Sequence, residues 1–224
     1  MTTPAPDRGV RLVPVLLVLT LVSGLIDAVS FLGLGHLFTA NMTGNVLVIG
    51  FAAAGAPGFS VRHSAASLVF FLAGAVAGGR VVHGSTNGSR RTWARLTLAT
   101  EAALLAIAAA IAFTTTVADG RFRIYAIIAC TAFALGMRTA TVRKLKVADL
   151  PTTVLTMTLT ALASDSRAAG GSEVRGFRRA AAVASLFLGA LLGAWLVTHH
   201  GLGWPLLLAA AISGALALLA GGRD

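Results

Sequence analysis

The residue with the most chemical leverage in this sequence is Asp27. It lies fifteen positions beyond Leu12 in an apolar run, with Leu25 and Ile26 before it and Ala28 and Val29 after it. A carboxylate at membrane depth costs roughly 2.5–3.5 kcal/mol on insertion scales and more in simulations, so it faces protein or water rather than lipid. Such a group can carry a proton or a cation; the alternative is a residue near the outer headgroups that caps or pairs. Asn41, Thr43 and Asn45, with Gly44 among them, form a second polar set. Amides and hydroxyls at a helix start can ligate a cation or hydrogen-bond a solute, and Gly44 lets backbone approach closely. The same groups can instead satisfy the frayed backbone of a broken helix. Thr152, Thr153, Thr156 and Thr158 form a third set, in which Thr152 and Thr156 share a helix face. Their hydroxyls can line a polar path or bond back to helix carbonyls.

Other polar residues read as structure. Glu101, just after Arg95, is expected to be an interfacial carboxylate paired with a cytoplasmic arginine. Arg138 is expected to snorkel to the headgroups from a helix end. An Asp27–Arg138 partnership is disfavoured, because inverted halves would put the two at opposite faces. Gly74 and Gly78, and Gly189 and Gly193, are small-xxx-small packing signatures, within a bundle or between protomers. His199-His200 has no carboxylate or cysteine nearby in sequence and reads as an interfacial anchor, not a metal site; Trp195 and Trp204 flank it as an aromatic belt would. Cys130 is a lone thiol in an apolar run. Asp149, Asp165 and Glu173 lie in basic loops and read as helix-end or salt-bridge residues. No nucleophile elbow, P-loop, zinc-protease helix or carboxylate pair occurs, which argues against an enzyme and implies neither metal nor cofactor.

The elements that must hold these residues follow from composition. The chain has 224 residues, 56% of them hydrophobic and 12% charged, against about 25% charged in a soluble domain. Mean hydropathy is +0.84. The apolar excess comes in long runs, which excludes a cytosolic enzyme, a disordered chain and a disulfide scaffold, and implies an integral membrane protein. The net charge of +10 sits between the apolar runs, where topology and anionic headgroups account for it better than nucleic acid does. Arg8 and Arg11 before Leu12–Leu25 imitate a signal peptide, but no small-x-small cleavage site follows, so the segment reads as a retained helix.

Eight apolar stretches are read, at about 12–33, 38–56, 64–82, 96–118, 122–141, 150–164, 180–198 and 202–221. Their Ala, Leu, Val and Gly content favours an all-α transmembrane bundle over a barrel. The second and sixth are short and polar at their start. Gly24–Ala28 aligns with Gly136–Ala140 at an offset of 112, Thr43–Asn45 with Thr156–Thr158 at 113, and Gly74–Gly78 with Gly189–Gly193 at 115. This argues for a duplication, with repeats over 1–118 and 119–224. If all eight stretches cross, the 18 Lys and Arg residues split ten to eight between the two sides. If the two weak stretches do not switch sides, only Arg62, Arg121 and Arg123 lie outside and the other 15 lie inside with both termini. The second arrangement satisfies the positive-inside rule. It gives six full crossings plus two short or broken helices in an inverted repeat, a recurring transporter design. The alternative is eight crossings in parallel halves.

Gly24-Leu-Ile-Asp27-Ala28 followed by Phe38-Thr-Ala-Asn41-Met-Thr43-Gly44-Asn45 resembles the YoaK family of bacterial inner-membrane proteins, domain of unknown function DUF1275. Gly136-Met-Arg138-Thr139-Ala140, followed by Asp149 to Thr160 and Asp165-Ser166, resembles it as well, so that the likeness covers nearly the whole chain. At the second site Arg138 and Thr139 stand where some members look more like Gln and Asn, so no amide ligand is carried over there. The resemblance implies a polytopic protein of the bacterial inner membrane. Two functional readings stand. One is a small secondary transporter or permease whose path is lined by Asp27, Asn41, Thr43, Gly44, Asn45, Thr139, Thr152, Thr153, Thr156 and Thr158. The other is a non-transporting scaffold or sensor in which these groups lock helices together. The partners implied are the lipid bilayer, an unspecified small solute or ion and a second copy of the chain through the glycine faces.

Overall fold

The computed structural model describes residues 12–84, 90–114, 120–145, 155–166, 169–170 and 176–220. They form eight helices: α1 (Leu12–Gly33), α2 (Met42–Ala53), α3 (Val61–Gly84), α4 (Arg90–Phe113), α5 (Gly120–Leu145), α6 (Leu155–Ser164), α7 (Gly176–His200) and α8 (Gly203–Leu219). No strand occurs among the described residues. A helix satisfies its own backbone groups, which hydrocarbon demands, and Ala- and Leu-rich sequence adopts it at little cost. Five helices are long and apolar enough to cross a bilayer: α1, α3, α4, α5 and α7. α8 has 17 residues, about 25 Å at 1.5 Å per residue. α2 and α6 have 12 and 10 residues, about 18 and 15 Å, which is short of a hydrocarbon core of about 30 Å. The architecture is the helical bundle with two short helices expected from the sequence.

Side-chain contacts fix the helix directions. His36, beyond the end of α1, has its Nδ1 3.1 Å from the Gly58 carbonyl oxygen, just before α3. The two ends of the α2 excursion therefore lie at one end of the bundle. α1 and α3 run in opposite directions, and α2 returns the chain to the side it left. At the same end, Arg123 at the start of α5 donates to the Ala112 carbonyl at the end of α4, at 2.7 Å. His63 and Tyr125 stack edge-on there, as do Phe113 and Trp204. α7 stops at Gly201, whose φ of +81° is free for glycine, and α8 starts two residues later. The opposite end gathers the start of α1, the end of α3, the start of α4, the end of α5, the start of α7 and the end of α8. That end carries Arg80, Arg90, Arg91, Arg95, Arg143, Lys144, Arg178 and Arg179, whereas the first carries Arg62, Arg121 and Arg123.

Two helix pairs pack backbone to backbone, and their contacts correspond residue for residue. Between α1 and α7, Gly24 lies against the Leu186 carbonyl, Gly189 against that of Leu21 and Gly193 against that of Leu25. Between α3 and α5, Gly136 lies against the Phe71 carbonyl, Gly74 against that of Phe133 and Gly78 against that of Met137. A Cβ at any of the six would stand 2.0–2.6 Å from the named oxygen, so only glycine permits these parallel pairs to close. Adding 112 to the α1 numbers and removing 115 from the α7 numbers turns the first set of contacts into the second. α4 and α8 are antiparallel and meet their own counterparts: Glu101 touches Ser213 and Ala102 faces Gly214, each pair 112 apart.

Candidate functional site: a buried ion pair at the middle of the bundle

Two apolar clusters divide the interior. Leu16, Leu19, Leu98, Ala182 and Ala217 fill the basic end. The larger cluster, with Ile26, Val29, Leu105, Ala109, Ile128 and Leu206 among its members, fills the other. A polar layer lies between them. On α4 the order is Leu98, Glu101, Leu105; on α8 it is Ala217, Ser213, Ala209; on α1 it is Leu19, Ser23, Ile26. Glu101 is the twelfth of the 24 residues of α4 and Ser23 the twelfth of the 22 of α1, so both sit at mid-depth.

The centre of the layer is a salt bridge. Arg138 Nη1 donates to Glu101 Oε1 at 2.8 Å, with 2% and 0% of the two side chains exposed. Those exposures exclude the interfacial and snorkelling roles expected from sequence. Arg138 Nη2 donates to Ser23 Oγ, and Ser213 Oγ donates to Glu101 Oε1 at 3.2 Å. α1, α4, α5 and α8 thus each supply one group. The pair is not closed on itself: Glu101 Oε2 and Arg138 Nε are buried without a hydrogen-bond partner. A turn toward the basic end, the hydroxyls of Thr97 and Thr141 lie 3.0 Å apart, and Thr20 bonds back to the Leu16 carbonyl. The layer can hold a charge, share a hydrogen bond or exchange a proton away from both water and lipid.

Sequence reasoning misplaced these residues for a physical reason. Judged by hydropathy, the fourth stretch begins at 96 and leaves Glu101 near its start. The helix in fact begins at Arg90, because arginine is a good helix former that continues the helix beyond the apolar run. Likewise α5 runs on to Leu145, which puts Arg138 two turns inside. The signal for Ser213 was present: it is the counterpart of Glu101 at the 112 offset.

The residues singled out from sequence lie elsewhere, around α2. Asp27 Oδ1 accepts the backbone N–H groups of Thr39 at 3.1 Å and Ala40 at 2.8 Å, and so anchors the turn into α2. It is only partly buried. Asp27 forms no ion pair with Arg138, which pairs with Glu101 and reaches Ser23, one helical turn from Asp27. Asn41 caps α2, its Oδ1 accepting the Gly44 N–H at 3.3 Å. Gly44 lies under the Phe38 ring, where a Cβ would clash. Asn45 is fully buried: it accepts from Phe38 N at 2.8 Å and donates to Phe38 O at 2.6 Å and to Ser67 Oγ at 3.2 Å, which clamps α2 to α3. Thr43 and Thr156 are exposed, Thr158 is buried, and Thr139 is half-buried beside Arg138. Thr152 and Thr153 lie outside the described residues. The structure therefore brings Asp27, Asn41, Gly44 and Asn45 together at the entry to α2, and places Thr139, Thr156 and Thr158 apart from them. α6 is held differently, by Arg179 Nη1 donating to Ala161 O at 2.8 Å and Asp165 Oδ2 at 2.6 Å.

This clamp makes a prediction. Asn45→Ala leaves the Phe38 amide and carbonyl without their side-chain partner and is expected to cost about 1–3 kcal/mol. Amide exchange should rise across residues 42–53. Gly50→Ala in the same helix meets no atom within 4 Å and should gain up to about 1 kcal/mol. Equal effects from the two would contradict a specific role for Asn45.

Residues 15–219 match the model of a family described as "Protein of unknown function (DUF1275)". The chain belongs to the DUF1275 family. This DUF1275 chain is also similar to the UPF0700 transmembrane protein YoaK of Bacillus subtilis (strain 168), at 31% identity over 147 residues, covering 66% of this chain. The match spans 64% of that relative's own length. No solved structure matches the DUF1275 chain. With its family, its relative and its apolar helices in agreement, it is a multi-pass transmembrane protein.

Proposed function

We propose that this protein is a secondary carrier for a small solute or ion, made of two inverted repeats that meet around the Glu101–Arg138 layer. The observation that carries this reading is the layer's position: a charged, incompletely satisfied site at mid-depth, closed toward each end by a separate apolar cluster. A carrier needs a site that can be opened to either side in turn. The repeat is supported by the paired contacts of α1 with α7 and of α3 with α5, and by the opposite directions of equivalent helices. In this reading residues 1–118 form one half and 119–224 the other. The basic end faces the cytoplasm of a bacterial inner membrane and both termini lie there, by the positive-inside rule. The outward apolar faces of α3 and α7 meet lipid or a second copy of the chain. The carrier needs no catalytic group, metal or cofactor.

Labelling tests this without knowing the solute. A cysteine at Ser23 in a Cys130→Ser background should react with a membrane-impermeant thiol reagent applied from either side. Reaction from neither side would contradict a carrier. The second reading, a non-transporting scaffold or sensor, is favoured by one observation: Asp27 and Asn41 accept hydrogen bonds from nearby backbone N–H groups, and Asn45 donates to a nearby backbone carbonyl. It predicts a sealed Ser23 position.

A further inference from the structure

The polar layer has an uneven charge count. Glu101 and Arg138 pair within it, and Asp27 lies one turn along α1 from Ser23, which Arg138 already touches. Every group facing Glu101 can be named. α5 contributes Arg138, α1 contributes Ser23 with Asp27 beyond it, and α8 contributes Ser213 and has no ionisable side chain at all. α3 carries its ionisable residues, Arg62, His63, Arg80 and His83, near its two ends. Asp27 Oδ1 accepts from the Thr39 and Ala40 N–H groups rather than from Arg138, so the two carboxylates and one guanidinium, when ionised, carry one net negative charge inside the bundle. An uncompensated charge at this depth is costly. One monovalent positive charge removes the imbalance.

The free atoms indicate where it goes. Glu101 Oε2 is fully buried and has no partner, so it has a lone pair open to a proton. Space for a hydrated metal ion would call for several oxygen ligands, and beyond Glu101 itself only the two serine hydroxyls stand at the pair. We propose that Glu101 takes up one proton on Oε2, and that Arg138 then passes from Glu101 to Asp27; this rests on the carrier reading given above and supplies its coupling ion. The step balances: the carboxylate gains one proton and becomes a neutral acid, the guanidinium keeps its charge, and Asp27 becomes its counter-ion. The set goes from one net negative charge to none. Before the exchange Arg138 ties α5 both to α4, through Glu101, and to α1, through Ser23; after it the tie to α4 is gone and only α1 is held, so one proton releases α4 from α5. That gives the two halves two arrangements, as alternating access requires.

The test is infrared difference spectroscopy on the full chain in lipid vesicles, with the proton as the probe and choline as the only added cation. Lowering the pH should produce one carboxylic-acid carbonyl stretch per chain. Glu101→Gln should abolish it. Asp27→Asn should keep it but move it to lower pH, since the second counter-ion that favours protonation is gone. Should Glu101→Gln fail to fold, judged by helical circular dichroism and monodispersity, Glu101→Gln with Arg138→Gln removes both charges and carries the same expected loss. No stretch in the natural chain, or a stretch that survives Glu101→Gln, would overturn the proposal. An unmoved midpoint in Asp27→Asn would overturn the hand-over of Arg138. Sodium added at fixed pH that suppresses the stretch or alters the spectrum without one would replace the proton by a metal cation and overturn it too. The readout needs no flux, so a stretch that behaves as expected beside a Ser23 position sealed from both sides would leave the proton site standing and remove the carrier.

Discussion

Replacing Arg138 by methionine is expected to cost about 3–5 kcal/mol, among the largest effects of any single change in this protein. The figure follows from breaking a buried pair: the partner is left as an uncompensated charge. Here Glu101 would keep only Ser213 as donor. Glu101→Met should cost a similar amount, because Arg138 would keep only Ser23. The double variant should recover most of the loss, since a buried pair replaced by apolar residues of similar volume is often neutral or stabilising. Unfolding by denaturing detergent in mixed micelles reads all three. Additive losses in the double variant would show that the two residues do not act on one another. If the proposed carrier reading holds, the double variant should also lose transport while it folds well, which separates what the pair does for stability from what it does for function.

The second large effect concerns the glycines between parallel helices. Gly189→Leu would put a branched side chain where even a Cβ stands 2.0 Å from the Leu21 carbonyl oxygen. Backbone cannot move aside as a side-chain tip can, so α1 and α7 must separate. Overpacking commonly costs 1–3 kcal/mol and sometimes more; with backbone as the obstacle, about 3 kcal/mol or above is expected. Gly74→Leu meets the Phe133 carbonyl at 2.1 Å and should cost about the same. Gly79→Leu, one position past Gly78 with nothing within 4 Å, should be far milder. Thermal unfolding in detergent compares them. A large difference between Gly74 and Gly189 would argue that the two helix pairs are not equivalent.

Much of this fold could be read from the residues. Runs of Ala, Leu, Val and Gly mark the long helices, and the polar openings of the second and sixth stretches mark the short ones, since Asn41 and the threonines cannot extend an apolar span. The charge split distinguished a returning α2 from a crossing one, in line with His36 meeting Gly58. The centre of the molecule was not legible. Hydropathy locates apolar surface, and arginines that extend a helix past its apolar core shift every depth judged from it. Hydropathy therefore places Glu101 at the membrane edge, whereas it lies at the middle. Partner choice was hidden as well: that α4 and α5 are antiparallel neighbours, which brings Glu101 to Arg138, is a property of packing that no local pattern encodes. Asp27 and Asn45 stand out in the sequence, but their partners are mainly backbone groups, and a sequence does not show which N–H a carboxylate will meet.

The proposed carrier needs two halves of opposite orientation, and sidedness tests that most directly. Single cysteines at His36, Ser60, Asn87, Asp119, Val147 and Gly170, in a Cys130→Ser background, would be labelled in intact cells with an impermeant thiol reagent. Inverted halves predict reaction from outside at positions 36, 60 and 119, and protection at 87, 147 and 170. Sidedness that alternates from each loop to the next would mean eight crossings and parallel halves, and would contradict them.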